Sequence, residues 1–401
     1  MPKALEGIRI LDMGQIIAMP YCTMLLADLG AEVIKVEERE IAEFLLHVGP
    51  RRQRDSVQEV VPTWFLYANR NKKHMTLNLQ EPQGRDLFLE LSQHADVIVE
   101  NFSVGVVTRL GVDYEAVCRV NPRIIYASIS AFGQTGPLAP HRGYDMLAQA
   151  RSGLMDLTGF ADGKPTKTGN SIADYFAGFH CAVAILAALR YREVTGEGQY
   201  IDIALLDSLI TALDSTPEVY TMAGQLTRRV GNRHFLAAGY GAYDTQNGAI
   251  ALALISPSIW ERFCQLIGQP ELVEDVRFAE HMNRVQNADA LDTIIQAWLQ
   301  DKTKEEVVKL LNANGIPAAP VNTIAEMVNE PQIKARNMHV EVTHPDYGPL
   351  VMTNSALKLS KTPGAIATPA PRIGQHTDEV LRTWLGRTQE EIAQLRADGI
   401  V

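Results

Sequence analysis

The sequence predicts an α/β protein: a large domain built on a Rossmann-like, mostly parallel sheet, plus a smaller α+β domain. Three observations carry this. Short runs rich in Val and Ile alternate with helical stretches over the first half of the chain. A long alanine-rich helix and one further strand close that series. Near Gly224 the alternation gives way to a hairpin and a run of amphipathic helices.

Taken in order, Ile8-Arg9-Ile10-Leu11-Asp12-Met13 reads as a strand, residues 20–29 as a helix stopped by Gly30, and Glu32-Val33-Ile34-Lys35-Val36-Glu37 as the next strand. Residues 87–94 are helical and 96–100 a strand; 114–119 are helical and 123–130 a strand. Residues 179–189, apolar and free of Gly and Pro, read as a buried helix. Residues 199–205 add another strand. Residues 242–254 form a hairpin with an Asn247-Gly248 turn. From 258 to 314 the pattern is helical, with Trp260, Phe263, Leu266, Trp298, Val307 and Leu311 on apolar faces. A return segment starts at residue 318. Residues 361–375, rich in Pro, Gly, Ala and Thr, run extended, and residues 377–385 form a terminal helix. These boundaries divide the chain into a large domain at 1–205, a linker at 206–230, a small domain at 231–325 and a segment at 326–401 that completes the large domain.

The 401 residues are 46% hydrophobic and 21% charged, an ordinary globular composition. A net charge of -10 argues against nucleic acid or an anionic membrane as partner, but leaves room for an anionic small ligand in a local basic pocket. No unbroken apolar run reaches the ~18–20 residues of a membrane span, and the N-terminus carries no apolar signal core. Cys22, Cys118, Cys181 and Cys264 lie far apart without metal-ligand spacing, which reads as free thiols in a reducing cytoplasm. The ten histidines form no metal-binding pair.

Asp174 stands out. It follows Gly169-Asn170-Ser171-Ile172-Ala173 and precedes the apolar helix, so a lone carboxylate sits near a helix N-terminus. It is either a cap that only starts the helix or a nucleophile, kept ionised by the helix dipole and free N–H groups. The dinucleotide reading fails. The first strand leads into Gly14-Gln15-Ile16-Ile17-Ala18-Met19-Pro20, which lacks the second and third glycines of the fingerprint, and Glu37 alone is a weak ribose ligand. No P-loop, G-x-S-x-G or kinase signature is present.

Other pieces stand in a specific order. They are Gly30-Ala31-Glu32-Val33-Ile34-Lys35-Val36-Glu37, Asn69-Arg70-Asn71-Lys72-Lys73 with Leu77-Asn78-Leu79, and Ala95-Asp96-Val97-Ile98-Val99-Glu100-Asn101-Phe102. Arg109-Leu110-Gly111, Asn121-Pro122-Arg123, Gly133-Gln134-Thr135-Gly136-Pro137 and Gly143-Tyr144-Asp145 precede Ala173-Asp174-Tyr175. Thr195-Gly196-Glu197-Gly198-Gln199, Gly231-Asn232-Arg233-His234 and Gly374-Gln375-His376-Thr377 follow. Over nearly the whole chain this ordered set resembles the class III coenzyme A transferases, the CaiB/BaiF family of formyl-CoA:oxalate and carnitine CoA-transferases.

The resemblance implies a catalytic role for Asp174: it attacks an acyl-CoA thioester to give an aspartyl anhydride, then an aspartyl-CoA thioester that passes CoA to a free acid. It implies that Tyr144 and Asp145 lie in the active site. It implies CoA contacts by Ile16, Ile17 and Ala18 in the loop after the first strand, and by Leu77, Asn101 and Phe102. It implies that Arg109 and Arg39 meet the CoA phosphates and that Arg142 keeps a positive charge near CoA. Structure alone could explain some of these: Arg109 as a solvated surface residue, Phe102 as core packing, Tyr144 as a buried tyrosine with a satisfied hydroxyl. The resemblance further implies a cytoplasmic, interlocked homodimer with its site between the large domain of one chain and the small domain of the other. An acyl-CoA and a small carboxylic acid are then the ligands, with no tightly bound cofactor and no metal.

The sister α-methylacyl-CoA racemases carry a histidine where this chain has Tyr144, and a phenol is a poor proton shuttle at neutral pH. Transfer is therefore preferred to racemisation, and both to a non-catalytic CoA-binding protein. Ile17 replaces an active-site glutamine of the oxalate enzyme, Gln80 a CoA-contacting lysine and Glu38 an arginine, and the long glycine run of its mobile loop is missing. These departures point from oxalate to a larger or more apolar acid, such as a branched or unsaturated dicarboxylate or an aromatic acid.

Overall fold

In the computed structural model, residues 3–45, 51–52 and 61–401 are described; Met1 and Pro2 of the segment read for a signal sequence lie outside them. Internal contacts divide the chain into two compact units: Met1–Gly153 with Thr168–Leu213 and Pro331–Val401, and Leu154–Lys167 with Asp214–Glu330.

The larger unit is organised by a six-stranded sheet. Its strands are β1 (Arg9–Asp12), β2 (Glu32–Glu37), β3 (Lys72–Thr76), β4 (Val97–Glu100), β5 (Ile125–Ser130) and β6 (Gln199–Ala204), in the order β3-β2-β1-β4-β5-β6. Every pairing is parallel. Strands buried on both faces explain the near-continuous Val/Ile runs. The helices between them include α1 (Ala18–Asp28), α2 (Pro82–Ser92), α3 (Tyr114–Val120), α4 (Asp145–Ser152) and α5 (Ile172–Thr195). One core cluster joins Leu87, Phe88 and Leu91 of α2 and Val117 of α3 to Ile34, Met75 and Ile98 of the sheet. The C-terminal helices Thr377–Leu385 and Gln389–Ala397 complete it with Val380, Leu381, Trp384, Ile392 and Leu395. The sequence reading missed the second of these, although Thr388 and Glu391 form a capping box at its start.

Helices α1 and α5 pack on each other and on the strands. Their approach is close: a Cβ built on Gly178 would stand 2.5 Å from the Ala18 carbonyl oxygen. The expectation of a wholly buried α5 needs correction. Ala177, Cys181, Ile185 and Ala188 are buried, but Phe179, Val183 and Leu186 are 49%, 50% and 37% exposed. By length and composition α5, with mean hydropathy 1.7, could cross a membrane. Its packing on α1 and the strands is that of a core helix of a parallel-sheet protein.

The second unit holds a four-stranded antiparallel sheet, in which residues 237–245 and 248–253 form the hairpin read from the sequence. Its turn differs from expectation: Thr245 pairs with Gly248, so Gln246 and Asn247 form the turn. Amphipathic helices Pro257–Leu266, Ala288–Leu299 and Lys304–Ala313 bury Trp260, Phe263, Leu291, Val307 and Leu311 against that sheet. Two boundaries differ from the sequence reading. Residues 205–210 form a helix of the larger unit, so no linker starts at 206. Residues 154–167 join the second unit because Gly231 N–H donates to the Gly159 carbonyl (3.0 Å) and Arg229 pairs with Asp156 (2.6 Å).

Candidate active site

A cavity of about 360 Å³ opens at the C-terminal ends of β1, β4 and β5, where parallel sheets hold their ligands. Residues 15–18 after β1, 101–104 after β4 and 129–132 at the end of β5 form much of its wall; residues 141–144 and Asp174 complete it. Among the described residues Asp174 is the one acidic side chain lining it, with Arg142 and His141 on the same wall.

Helix α5 starts from Ser171, whose side chain makes no capping hydrogen bond. The capping carboxylate comes instead from Asp145, the first residue of α4: its Oδ1 accepts from Ala173 N–H at 2.8 Å and its Oδ2 from the Gln149 amide at 2.7 Å. Gln149 in turn accepts from Thr168 N–H at 3.0 Å. Asp145 thus occupies a free N–H group of the helix start and places a second negative charge near Asp174. The expectation that the helix terminus keeps Asp174 ionised is corrected accordingly: burial, and then the Asp145 charge, push its pKa up to about 7.

The loop after β1 is held from several sides. Asp12 Oδ1 accepts from Gly14 N–H at 2.8 Å, while Lys35 Nζ donates to the Gly14 carbonyl. Asp12 Oδ2 takes Thr23 Oγ1 at 2.5 Å and Lys72 Nζ at 3.0 Å, all fully buried. Burial would raise the Asp12 pKa, but the Lys72 and Lys35 charges outweigh it and hold it below the ordinary value. Burial lowers Lys72 to about 8 against the pull of Asp12. On the other side Asn101 meets Gln15 twice: Gln15 N–H donates to Oδ1 at 2.7 Å, and Nδ2 donates to the Gln15 carbonyl at 2.9 Å. Ile16, next along, has φ 63°. The Asn101 loop is itself fastened by Phe102 N–H to Glu100 Oε2 at 2.7 Å. Burial lifts that carboxyl to about 7.

Of the residues read from the sequence, Asp174, Tyr144, Ile16, Ile17, Ala18, Asn101, Phe102 and Arg142 meet at this cavity. Tyr144 is 70% exposed, which excludes the buried-tyrosine reading in the single chain. Phe102 both lines the cavity and packs on the sheet core. Four do not line it. Asp145 lies behind Asp174 with both oxygens engaged. Leu77 is 1% exposed inside the sheet core. Arg109 is exposed on the short helix Val106–Leu110, which reaches the cavity only at Val106. Arg39 is exposed at the start of the helix Arg39–Leu45. The sequence reading missed Ser103, Ser130 and Phe132 on the wall. The Ser130 hydroxyl is buried without a hydrogen-bond partner among the described residues. Its place at the C-terminal end of a parallel strand was the available signal. Among the described residues no group of His, Cys, Asp and Glu could hold a metal ion.

The sequence profile of CoA-transferase family III matches residues 5–377. The chain is 34% identical over 401 residues to the succinyl-CoA–D-citramalate CoA-transferase of Chloroflexus aurantiacus, covering 100% of this chain and 98% of that one. It is 34% identical over 399 residues to the succinyl-CoA:glutarate CoA-transferase of Mus musculus, covering 100% and 90%. Among solved structures it resembles a CaiB/BaiF family protein from Brucella suis, with a TM-score of 0.86 and 32% identity over 96% of this chain and 100% of that one.

Proposed function

The chain belongs to CoA-transferase family III, and on that premise we propose that it moves coenzyme A from succinyl-CoA to a free dicarboxylic acid through covalent intermediates on Asp174. It is an enzyme of the CoA-transferase class. The choice of substrates follows its relatives, which use succinyl-CoA with the dicarboxylic acids D-citramalate and glutarate. The larger acid inferred from Ile17 and the missing glycine run agrees with that choice.

The observation that carries the mechanism is the single acidic side chain found among the described residues of the cavity wall, half-buried, with its pKa raised to about 7. Once ionised, an Asp174 oxygen attacks the thioester carbonyl; the C–S bond breaks and CoA leaves as the thiolate. The thiolate then attacks the Asp174 carbonyl of the mixed anhydride, and the donor acid departs as its carboxylate. The acceptor carboxylate attacks the aspartyl-CoA thioester and the sequence runs in reverse. Each exchange trades one activated acyl bond for another, so no nucleotide is consumed. Water must be kept out, because anhydride and thioester both hydrolyse. Partial desolvation of Asp174 serves both needs: it makes the ionised carboxylate a better nucleophile and limits water beside it. Arg142 supplies positive charge for the anionic ligands at the same wall. Arg109 and Arg39 are proposed to reach the CoA phosphates from outside it. The proposal includes a cytoplasmic homodimer; the buried, free Cys22, Cys181 and Cys264 fit a reducing compartment.

Intact-mass spectrometry after incubation with succinyl-CoA tests the mechanism. The wild type is expected to carry a CoA-sized adduct and Asp174→Ala none; an adduct that survives the substitution overturns the assignment. Transfer assays with glutarate, citramalate and malate as acceptors identify the acid.

A further inference from the structure

Ile16 is the strained point of the cavity wall. Its φ of 63° lies in the left-handed region, which a β-branched side chain avoids. It is also 40% exposed, so no packing of its side chain into a core holds it there. The restraint comes from the chain on either side. Gly14 is held by Asp12 and Lys35, Gln15 by both ends of the Asn101 amide, and Ile17 by the first turn of α1, where Tyr21 N–H donates to its carbonyl at 2.8 Å. Between two anchored ends Ile16 must absorb the turn. Of these anchors, Asn101 is the side chain that touches a residue flanking the strain, and its two bonds fix both the N–H and the C=O of Gln15. The pairing also sets the orientation of the Asn101 amide, since a backbone N–H needs the oxygen and a carbonyl the nitrogen.

We propose that Asn101 is a positioning residue that holds Ile16 in its left-handed conformation, thereby fixing residues 16–18 as the wall against which the reacting acyl group is set. The assignment of acyl transfer to that wall rests on the transferase reading; the clamp itself does not. Strain of this kind persists at functional sites where the surroundings over-determine the backbone. Freed from Asn101, Ile16 relaxes toward negative φ, its flanking peptide planes rotate, and the wall shifts against Asp174. Shifts of about 1 Å cost on the order of 100-fold in rate.

The test compares wild type, Asn101→Ala, Ile16→Gly and the double variant by two readouts: backbone amide exchange of residues 14–18, and kcat and KM for transfer from succinyl-CoA to a dicarboxylic acid. Asn101→Ala is expected to speed exchange in that segment at least about 10-fold and to lower kcat by about 10- to 100-fold. Glycine takes the left-handed conformation without restraint. The double variant therefore recovers a large part of the lost kcat, which loss of general stability would not allow. Unchanged exchange in Asn101→Ala, or a double variant no faster than Asn101→Ala, overturns the proposal. A wild type that transfers no CoA refutes the transferase reading instead, and the exchange measurement still decides the clamp.

Discussion

At the scale of single residues, the proposed role of Asp174 makes function and stability pull in opposite directions. Its carboxyl binds a proton up to about pH 7, whereas an unperturbed aspartate releases it near 3.8. Between those values the folded chain holds a proton that the unfolded chain gives up. The stabilisation is complete below the lower value and is lost as pH rises through about 7. On the proposed mechanism, by contrast, Asp174 attacks only when ionised, so kcat/KM is expected to rise through the same window. Asp174→Asn should abolish transfer and, at pH 8, be more stable than wild type by about 2 kcal/mol. Melting curves at pH 4 and pH 8 check this: the difference should shrink at pH 4, and an equal gain at both would contradict the assigned shift. Asp174 itself was legible as a lone carboxylate before an apolar helix. Its protonation was not, because its burial and, after that, the charge of Asp145, 29 positions away, both arise only in the tertiary structure. Leu77 shows a similar limit: motif position places a residue along the chain, and packing sets this one in the sheet core rather than on the cavity wall.

The elements were the most legible scale. Alternating strands and helices announced the parallel sheet, because strands covered on both faces need apolar runs and crossovers need helices. What the pattern could not give is how closely the elements approach. Gly178, in the second turn of α5, costs helix propensity, yet its missing Cβ lets α5 meet the Ala18 carbonyl at the start of α1. These two helix starts carry Asp174 and residues 16–18 of the cavity wall. Gly178→Ala gains propensity and loses contact: its Cβ would meet backbone, which cannot swing away. The clash dominates, and we expect a net destabilisation of about 1–3 kcal/mol in chemical denaturation. A variant as stable as wild type would show that α1 and α5 can separate without cost. The buried Lys72–Asp12–Thr23 group is of the same kind: Lys72 and Asp12 lie on strands that flank β2, far apart in the chain, and only the fold buries them as mutual partners.

At the scale of the whole molecule, the apolar side of α5 is the unresolved account. A helix read as core leaves Phe179, Val183 and Leu186 about half in water in the single chain, and Tyr191 and Val194 further along are 47% and 68% exposed. Apolar side chains recurring along one helix form a stripe rather than scattered residues, and a stripe of this kind marks an interface. The homodimer expected from the family resemblance would cover it: in a closed two-fold assembly one patch can serve both copies. The sequence pattern could not separate this from core packing, since both require the same apolar periodicity. We therefore expect the chain to elute with twice its 44.3 kDa mass in light-scattering chromatography. Val183→Arg places an unpaired charge in the stripe, away from the cavity wall, and should shift the protein toward monomer while leaving its circular dichroism intact. A wild-type monomer, or a Val183→Arg variant that dimerises as tightly as wild type, would mean that α5 is covered by something other than a second copy.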